Sequence, residues 1–352
     1  MVVAGPCAGI FGDRESRRWK LAKVTVKLML PFPALVRAVL LPLVLLVIVG
    51  PARSADEFPR RVQHALGTTT MLKAPERIVT LGWSSEDAVL ALGKIPVGMP
   101  RYRFFESGIF PWNEERLAGT RPHLLEGAVD YEAIAALRPD LIFAIYSGID
   151  AHAYERLSRL APTVVYRSAP WSADWKEQMK LVGDALGKRD EASALIEKTA
   201  SSLSAMGASR PILHGKTFTF GTYFAGASGM VVYLQEDPRV AALLELGLEA
   251  SPGIVALSAA NAGRGSIEVS IEKIDMLDAD VLVMWYAPGA RAAAEAQPLF
   301  QALGAVKRGA YVALEDPVEV WSTSALSVLS VPYGFPRFVP RLAEAATRTG
   351  RQ

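Results

Sequence analysis

Two glutamates hold equivalent places in two stretches of the chain that repeat one another. The first stretch runs from Val129-Asp130-Tyr131-Glu132 to Leu137-Arg138-Pro139-Asp140-Leu141-Ile142-Phe143, the second from Val269-Ser270-Ile271-Glu272 to Leu277-Asp278-Ala279-Asp280-Val281-Leu282-Val283. Each opens a short amphipathic helix with an acid in its first turn, then turns through Pro or Ala before Asp into an apolar strand. A carboxylate at a helix N-terminus is held in place, and a guanidinium can clamp it with two parallel hydrogen bonds. One such acid per half predicts two similar α/β lobes that close on something between them.

Other reactive residue types are sparse. The four histidines, His64, His123, His152 and His214, stand singly, without the spacing of a zinc site. The one cysteine is Cys7. No Gly-x-Ser-x-Gly elbow, phosphate-binding loop or dinucleotide fingerprint is present, and Gly226-Ala227-Ser228-Gly229 reads as a turn between strands. The chain is therefore expected not to be an enzyme. A net charge of +2 with no basic tract in the body argues against nucleic acid as a partner.

The N-terminus reads as a leader. Arg17, Arg18, Lys20, Lys23 and Lys27 precede an apolar run from Ala38 to Gly50, and Pro51-Ala52-Arg53-Ser54-Ala55 offers small residues for cleavage. The run falls short of the roughly 20 apolar residues that span a bilayer. Ser16-Arg17-Arg18-Trp19-Lys20 has the twin arginines of one export route. Cys7 lies in this leader, so the mature chain has no disulfide and no thiolate metal ligand. Export without a lipid anchor points to a free protein of the bacterial periplasm, expected as a monomer.

Beyond the leader (1–54) the pattern alternates. Arg77–Leu81, Ile95–Met99, Leu141–Ile145 and Thr163–Tyr166 read as strands. Ser85–Leu92, with Glu86 and Asp87 in its first turn, and Tyr154–Leu160 read as helices. Residues 55–170 form a first lobe with a mostly parallel sheet flanked by helices. Residues 171–207 show helical spacing broken by Gly183 and Gly187, with a bend or new start near Lys188, and read as the connector. A second lobe, 208–352, has strands at Thr217–Phe220, Met230–Leu234, Val281–Tyr286 and Tyr311–Leu314. Its helices are Val240–Leu246, Ile271–Leu277, Pro298–Leu303 and a terminal helix from about Ser324.

Together with Pro75-Glu76-Arg77-Ile78-Val79 and Leu160-Ala161-Pro162-Thr163-Val164, the repeated stretches make the chain resemble the substrate-binding proteins of ABC importers for iron–siderophore complexes and cobalamin. It looks most like the ferric hydroxamate, ferrichrome-type branch, across about residues 73–345. The resemblance implies a class III periplasmic binding protein, two Rossmann-like lobes joined by one long rigid helix. On that resemblance it would carry a pre-chelated Fe(III)–siderophore complex to an inner-membrane permease dimer with its ATPase, with no cofactor or metal ligand of its own. Glu132 and Glu272 would dock into arginine pockets of the permease. Arg121 would contact hydroxamate oxygens, Trp321 would form a wall, and Arg264 would lie in the cleft. Trp83, Tyr102, Arg103, Tyr146, Tyr223 and Trp285 fall at predicted strand ends or in the loops after them, where such a cleft opens. Gly148 departs from the branch, which tends to carry a tyrosine near there. Haem or cobalamin as cargo, and a two-lobed periplasmic enzyme, are the alternatives.

Overall fold

The computed structural model describes residues 58–127 and 129–349. The expected leader, with Cys7, the basic region and the cleavage region, lies outside the described residues.

The first lobe begins with an antiparallel hairpin of β1 (Arg60–His64) and β2 (Gly67–Met71). There follow β3 (Ile78–Thr80), α1 (Ser85–Ala91), β4 (Gly98–Pro100), α2 (Pro111–Leu117), β5 (His123–Leu125), α3 (Tyr131–Ala136), β6 (Leu141–Ala144), α4 (Ala151–Ser158) and β7 (Thr163–Val165). Strands β5-β4-β3-β6-β7 form one parallel sheet in that order. All four residues of β6 are buried, as expected for a strand covered on both faces. The chain leaves β3 toward one edge and β6 toward the other. The crevice between the carboxyl ends of β3 and β6 is therefore a topological switch point, where α/β sheets bind ligands.

The stretch expected as one connector divides at Gly187, which takes φ +78 and ends α5 (Trp175–Leu186). Helix α6 (Arg189–Ala208) then runs for 20 residues, about 30 Å. Gly183, read from the sequence as an interruption, is where the two helices touch, because a Cβ there would strike that of Ala192.

The second lobe comprises β8 (Thr217–Thr222), β9 (Gly229–Tyr233), α7 (Pro238–Glu245), β10 (Glu249–Ala250), α8 (Pro252–Ala260) and β11 (Ser266–Ser270). A 3-10 segment, Ile271–Leu277, leads to β12 (Val281–Trp285), α9 (Ala290–Glu295), α10 (Pro298–Ala302), α11 (Gly304–Lys307), β13 (Tyr311–Leu314), α12 (Pro317–Ser324) and α13 (Ser330–Ala346). Strands β8, β12 and β13 are parallel, whereas β9 and β11 run antiparallel at one edge. The Gly226–Gly229 turn links β8 to β9 as expected from its glycines. The terminal helix starts at Ser330 rather than Ser324, which instead closes α12.

Alternation along β12 assigns its two faces. Val281 and Val283 join a core shared with the first lobe and the connector, while Leu282 and Met284 join a second core on the outer face. The sequence repeat has a structural counterpart. Asp140 accepts backbone hydrogen bonds from Glu76 (3.0 Å) and Arg77 (2.8 Å) just before β3, and Asp280 accepts one from Thr217 (2.9 Å) at the start of β8. Each Asp ties the central strand of its sheet to the strand beside it.

Gly207, near the end of α6, sits against the backbone of Leu246, and a Cβ there would strike the Leu246 carbonyl oxygen. Backbone yields less readily than a side chain, so Gly207→Ala should destabilise the protein by about 1–3 kcal/mol through overpacking. Urea denaturation would read this as a lower midpoint at unchanged slope. An unchanged midpoint would show that the helix can slide away from Leu246 at no cost.

Candidate functional site

Loops at the carboxyl ends of both sheets enclose a cleft between the lobes. Its larger chamber, about 700 Å³, is lined by Trp83, Tyr102, Phe104, Ser147, Trp171 and Trp321, among others. A second chamber of about 640 Å³ lies between Trp83, Tyr146, Trp171, Phe224, Arg239 and Trp285. A smaller one of about 210 Å³ opens beside Trp83, Trp285 and Trp321. Trp83 borders all three. It leaves β3 through Gly82 and Ser84, both at positive φ, and its backbone N–H donates to the Tyr146 carbonyl (2.9 Å). Its ring meets Trp321 of the second lobe at 4.9 Å, Trp171 at 5.3 Å and Tyr146 at 5.9 Å. These separations suit edge-to-face aromatic contact.

The polar groups of the cleft are mostly paired. Arg101 and Arg103 both face Glu126, at 3.3 and 2.9 Å. Arg239, in the first turn of α7, is buried and makes a two-pronged pair with Asp237, the N-cap of its own helix (Nε–Oδ1 and Nη2–Oδ2, both 2.8 Å). The Arg239 guanidinium also lies 3.7 Å over the Tyr233 ring. Burial opposes its charge, but the Asp237 carboxylate and Tyr233 outweigh that and raise its affinity for the proton. Trp285 donates its indole N–H to the Tyr233 hydroxyl at 2.7 Å. The Tyr146 hydroxyl is pushed up to about 12, first by burial. Among the described residues, no group of three or more His, Cys, Asp or Glu could hold a bare metal ion.

Of the residues singled out from the sequence, Trp83, Tyr102, Arg103, Tyr146, Arg264, Trp285 and Trp321 line the cleft. Arg264 is exposed at its margin. Arg121 is not there. It precedes β5, at the end of the sheet opposite the cleft, exposed and 3.6 Å from Glu114. The neighbouring His123 opens β5 and is likewise exposed. Tyr223 is also displaced from the expectation. Thr222 and Phe224 face the cleft, and extended alternation turns Tyr223 into the outer core, where its hydroxyl donates to Ala227 O (3.1 Å). Sequence reasoning missed Trp171, Phe104 and Phe224, all large, exposed and apolar in loops, and also Arg239, whose clue was its place two residues after an Asp cap.

Glu132 and Glu272 are exposed on the first turns of α3 and the 3-10 segment. The cap of each, Asp130 or Ser270, accepts a hydrogen bond from the backbone N–H of the glutamate (3.1 and 3.4 Å). The two local frames are thus built alike, although one is α-helical and the other 3-10.

Behind the cleft wall, two acids are buried. Asp87 accepts from Trp112 Nε1 (2.7 Å), Asn113 Nδ2 (2.6 Å) and the hydroxyl of Ser327 in the second lobe. Its neighbour Glu86 accepts from the Tyr102 hydroxyl (2.7 Å), while its Oε2 is buried without a partner. Burial first, and the Asp87 charge second, push the Glu86 carboxyl up to about 8. Burial also raises Asp87, and the hydrogen bonds from Ser327, Asn113 and Trp112 hold it lower than its neighbour.

The sequence profile of the periplasmic binding protein family matches residues 121–317. Over 228 residues the chain is 30% identical to the probable siderophore-binding lipoprotein YfiY of Bacillus subtilis, an overlap of 63% of this chain and 67% of that protein. It is 29% identical over 228 residues to the Fe(3+) dicitrate-binding periplasmic protein FecB of Escherichia coli, covering 62% and 68%. The crystal structure of PiaA from Streptococcus pneumoniae in complex with ferrichrome superposes with a TM-score of 0.74 at 29% identity, covering 82% of this chain and 99% of that one.

The buried acids make stability depend on pH. Glu86 is raised in the folded state, so its contribution is full below its unfolded value near 4.5 and is lost as pH rises toward about 8. Stability should therefore fall as pH rises through that window, and Glu86→Gln should remove the part of the fall above about pH 6, leaving the part due to Asp87. Urea midpoints measured at several pH values check this. A wild-type curve that rises across the window would place the proton elsewhere.

Proposed function

The chain belongs to the periplasmic binding protein family, and we propose that it is the solute-binding component of an ABC importer, capturing a ferric siderophore in the interlobe cleft. The observation that carries this reading is the chemistry of the cleft: aromatic walls, with its deep arginine already facing a carboxylate. Iron that arrives chelated needs no protein ligand, but it needs a surface for an organic shell. Flat indole and phenol rings supply that surface at little conformational cost. Relatives named for siderophore and ferric dicitrate binding, and a similar structure solved with ferrichrome, support an iron chelate as cargo.

Within that class we favour a hydroxamate-type complex. A triscatecholate carries net negative charge and calls for unpaired cations. Here the deep arginine, Arg239, is held by Asp237, while at the rim Arg101 and Arg103 share Glu126 and Arg264 is exposed. An oxygen-shelled complex of low net charge suits a cleft whose deep cation is already paired, accepting hydrogen bonds from the rim arginines and stacking against the rings. Binding is capture without chemistry and without a resident cofactor. The connector α6 restrains the lobes, so closure is small. The loaded protein then docks on the permease through Glu132 and Glu272, one carboxylate per lobe, each open to an arginine clamp. Export to the periplasm completes the reading. Among the described residues no helix is long and apolar enough to cross a membrane.

Calorimetric titration of the chain from Ala55 onward with ferrichrome, ferrioxamine B, ferric citrate, ferric enterobactin, haem and cobalamin tests the cargo. A ferric hydroxamate should bind tightest, Trp321→Ala should weaken it about tenfold, and Arg121→Ala should leave it unchanged. Binding of haem or cobalamin alone would discard the siderophore. Glu132→Arg combined with Glu272→Arg should abolish uptake at unchanged affinity. A loss of affinity in that double variant would instead move the glutamates to the cleft.

A further inference from the structure

We propose that Trp171 is a specificity-determining platform of this cleft, on which the cargo's organic shell seats, and that Gly148 is the residue that makes room for it. The assignment rests on the cargo reading above. Trp171 lies in the loop between β7 and α5, after Pro170, with φ +58. A bulky residue rarely takes this left-handed conformation without something holding it. Its backbone N–H donates to the Ser147 carbonyl at 3.0 Å, which ties the loop to the end of β6. Its ring reaches Trp83 at 5.3 Å and Tyr146 at 5.6 Å, yet the residue stays 45% exposed. So large an apolar surface is thus held out in the open cleft rather than folded into the core.

Two features give it a role beyond lining. Trp83 and Trp171 are the two residues shared by the 700 and 640 Å³ chambers, so they form the partition between them. Trp83 is packed on several sides, whereas Trp171 is the exposed member and offers its surface to whatever enters. The second feature is Gly148. A Cβ there would lie 2.6 Å from Trp171 Nε1 and 3.2 Å from its Cε2. Gly148 is not in the left-handed region, so its backbone does not require glycine. The indole does. Any side chain at position 148 must push Trp171 off its seat, and because the ring is exposed it can move without unfolding the core. The wall aromatic is therefore supplied by the β7–α5 loop, over a glycine in the loop after β6.

Calorimetric titration with whichever of ferrichrome, ferrioxamine B, ferric citrate or ferric enterobactin binds wild type most tightly tests the pair. Trp171→Ala should raise Kd about tenfold, and Trp171→Phe should recover most of that loss. Gly148→Ala should weaken binding to a similar degree, and adding it to Trp171→Ala should cost nothing more, since the ring it displaces is gone. Melting temperatures should stay at the wild-type value throughout. Unchanged affinity in Trp171→Ala, or additive losses in the double variant, would overturn the assignment while leaving the cargo reading intact. A wild-type protein that binds none of the four complexes would overturn the cargo reading and this assignment with it.

Discussion

The geometry of the cleft depends on one buried carboxylate. Asp87 gathers donors from α2 and, across the lobe boundary, from Ser327. Ser327 in turn accepts the backbone N–H groups of Leu329 and Ser330 at the start of the terminal helix α13. It lies in the short link after α12, the helix that carries Trp321 into contact with Trp83. Loss of the Asp87 anchor would free the link that fixes where the second-lobe wall stands. A buried hydrogen bond of this kind, with a charged acceptor, contributes more than a neutral one and costs more to break. In the sequence, Glu86 and Asp87 read as acids that complement a helix dipole. The fold uses Asp87 to join its halves.

The duplicated segments show how much of the architecture is set locally. In both lobes a capping side chain fixes the first turn that carries an exposed glutamate, and an Asp hydrogen-bonds the backbone at the start of the neighbouring strand. Around these shared parts the lobes differ. The first lobe fills its sheet with parallel strands, whereas the second adds antiparallel strands at one edge, which bring Tyr233 beside Trp285. The repeat thus preserves the capped first turns that present Glu132 and Glu272, and the divergence falls on the sheet edge that brings Tyr233 to the cleft.

Legibility in the sequence followed the same division. Buried strands announced themselves as apolar runs, and the residues at or just after the ends of β3, β4, β6 and β12 pointed to Trp83, Tyr102, Tyr146 and Trp285 because strand ends in such sheets converge on one crevice. Two placements failed for reasons of direction. Arg121 stands before β5, a three-residue strand too short to mark itself, so its end of the sheet could not be read. Tyr223 lies one residue out of phase with Thr222 and Phe224, and alternation of faces sends it to the opposite core. Trp171 and Gly148 were illegible as a pair, because 23 positions separate them along the chain and their contact exists only once β6 and β7 are neighbours.

The charge balance of the cleft also constrains what can enter it. Arg239 keeps its proton at any ordinary pH, and Asp237 is attached to it by two bonds within one helix turn. An anionic cargo seeking that guanidinium would have to displace a carboxylate held there by the cap geometry of α7. Removing one partner of a buried pair costs about 3–5 kcal/mol, which the incoming anion must return before it gains anything. An uncharged complex makes no such demand. It would meet Arg239 and Asp237 as a fixed dipole, with the Tyr233 ring beneath the guanidinium. The pairing of Arg239 thus makes that guanidinium less available to an anion than its charge alone would suggest.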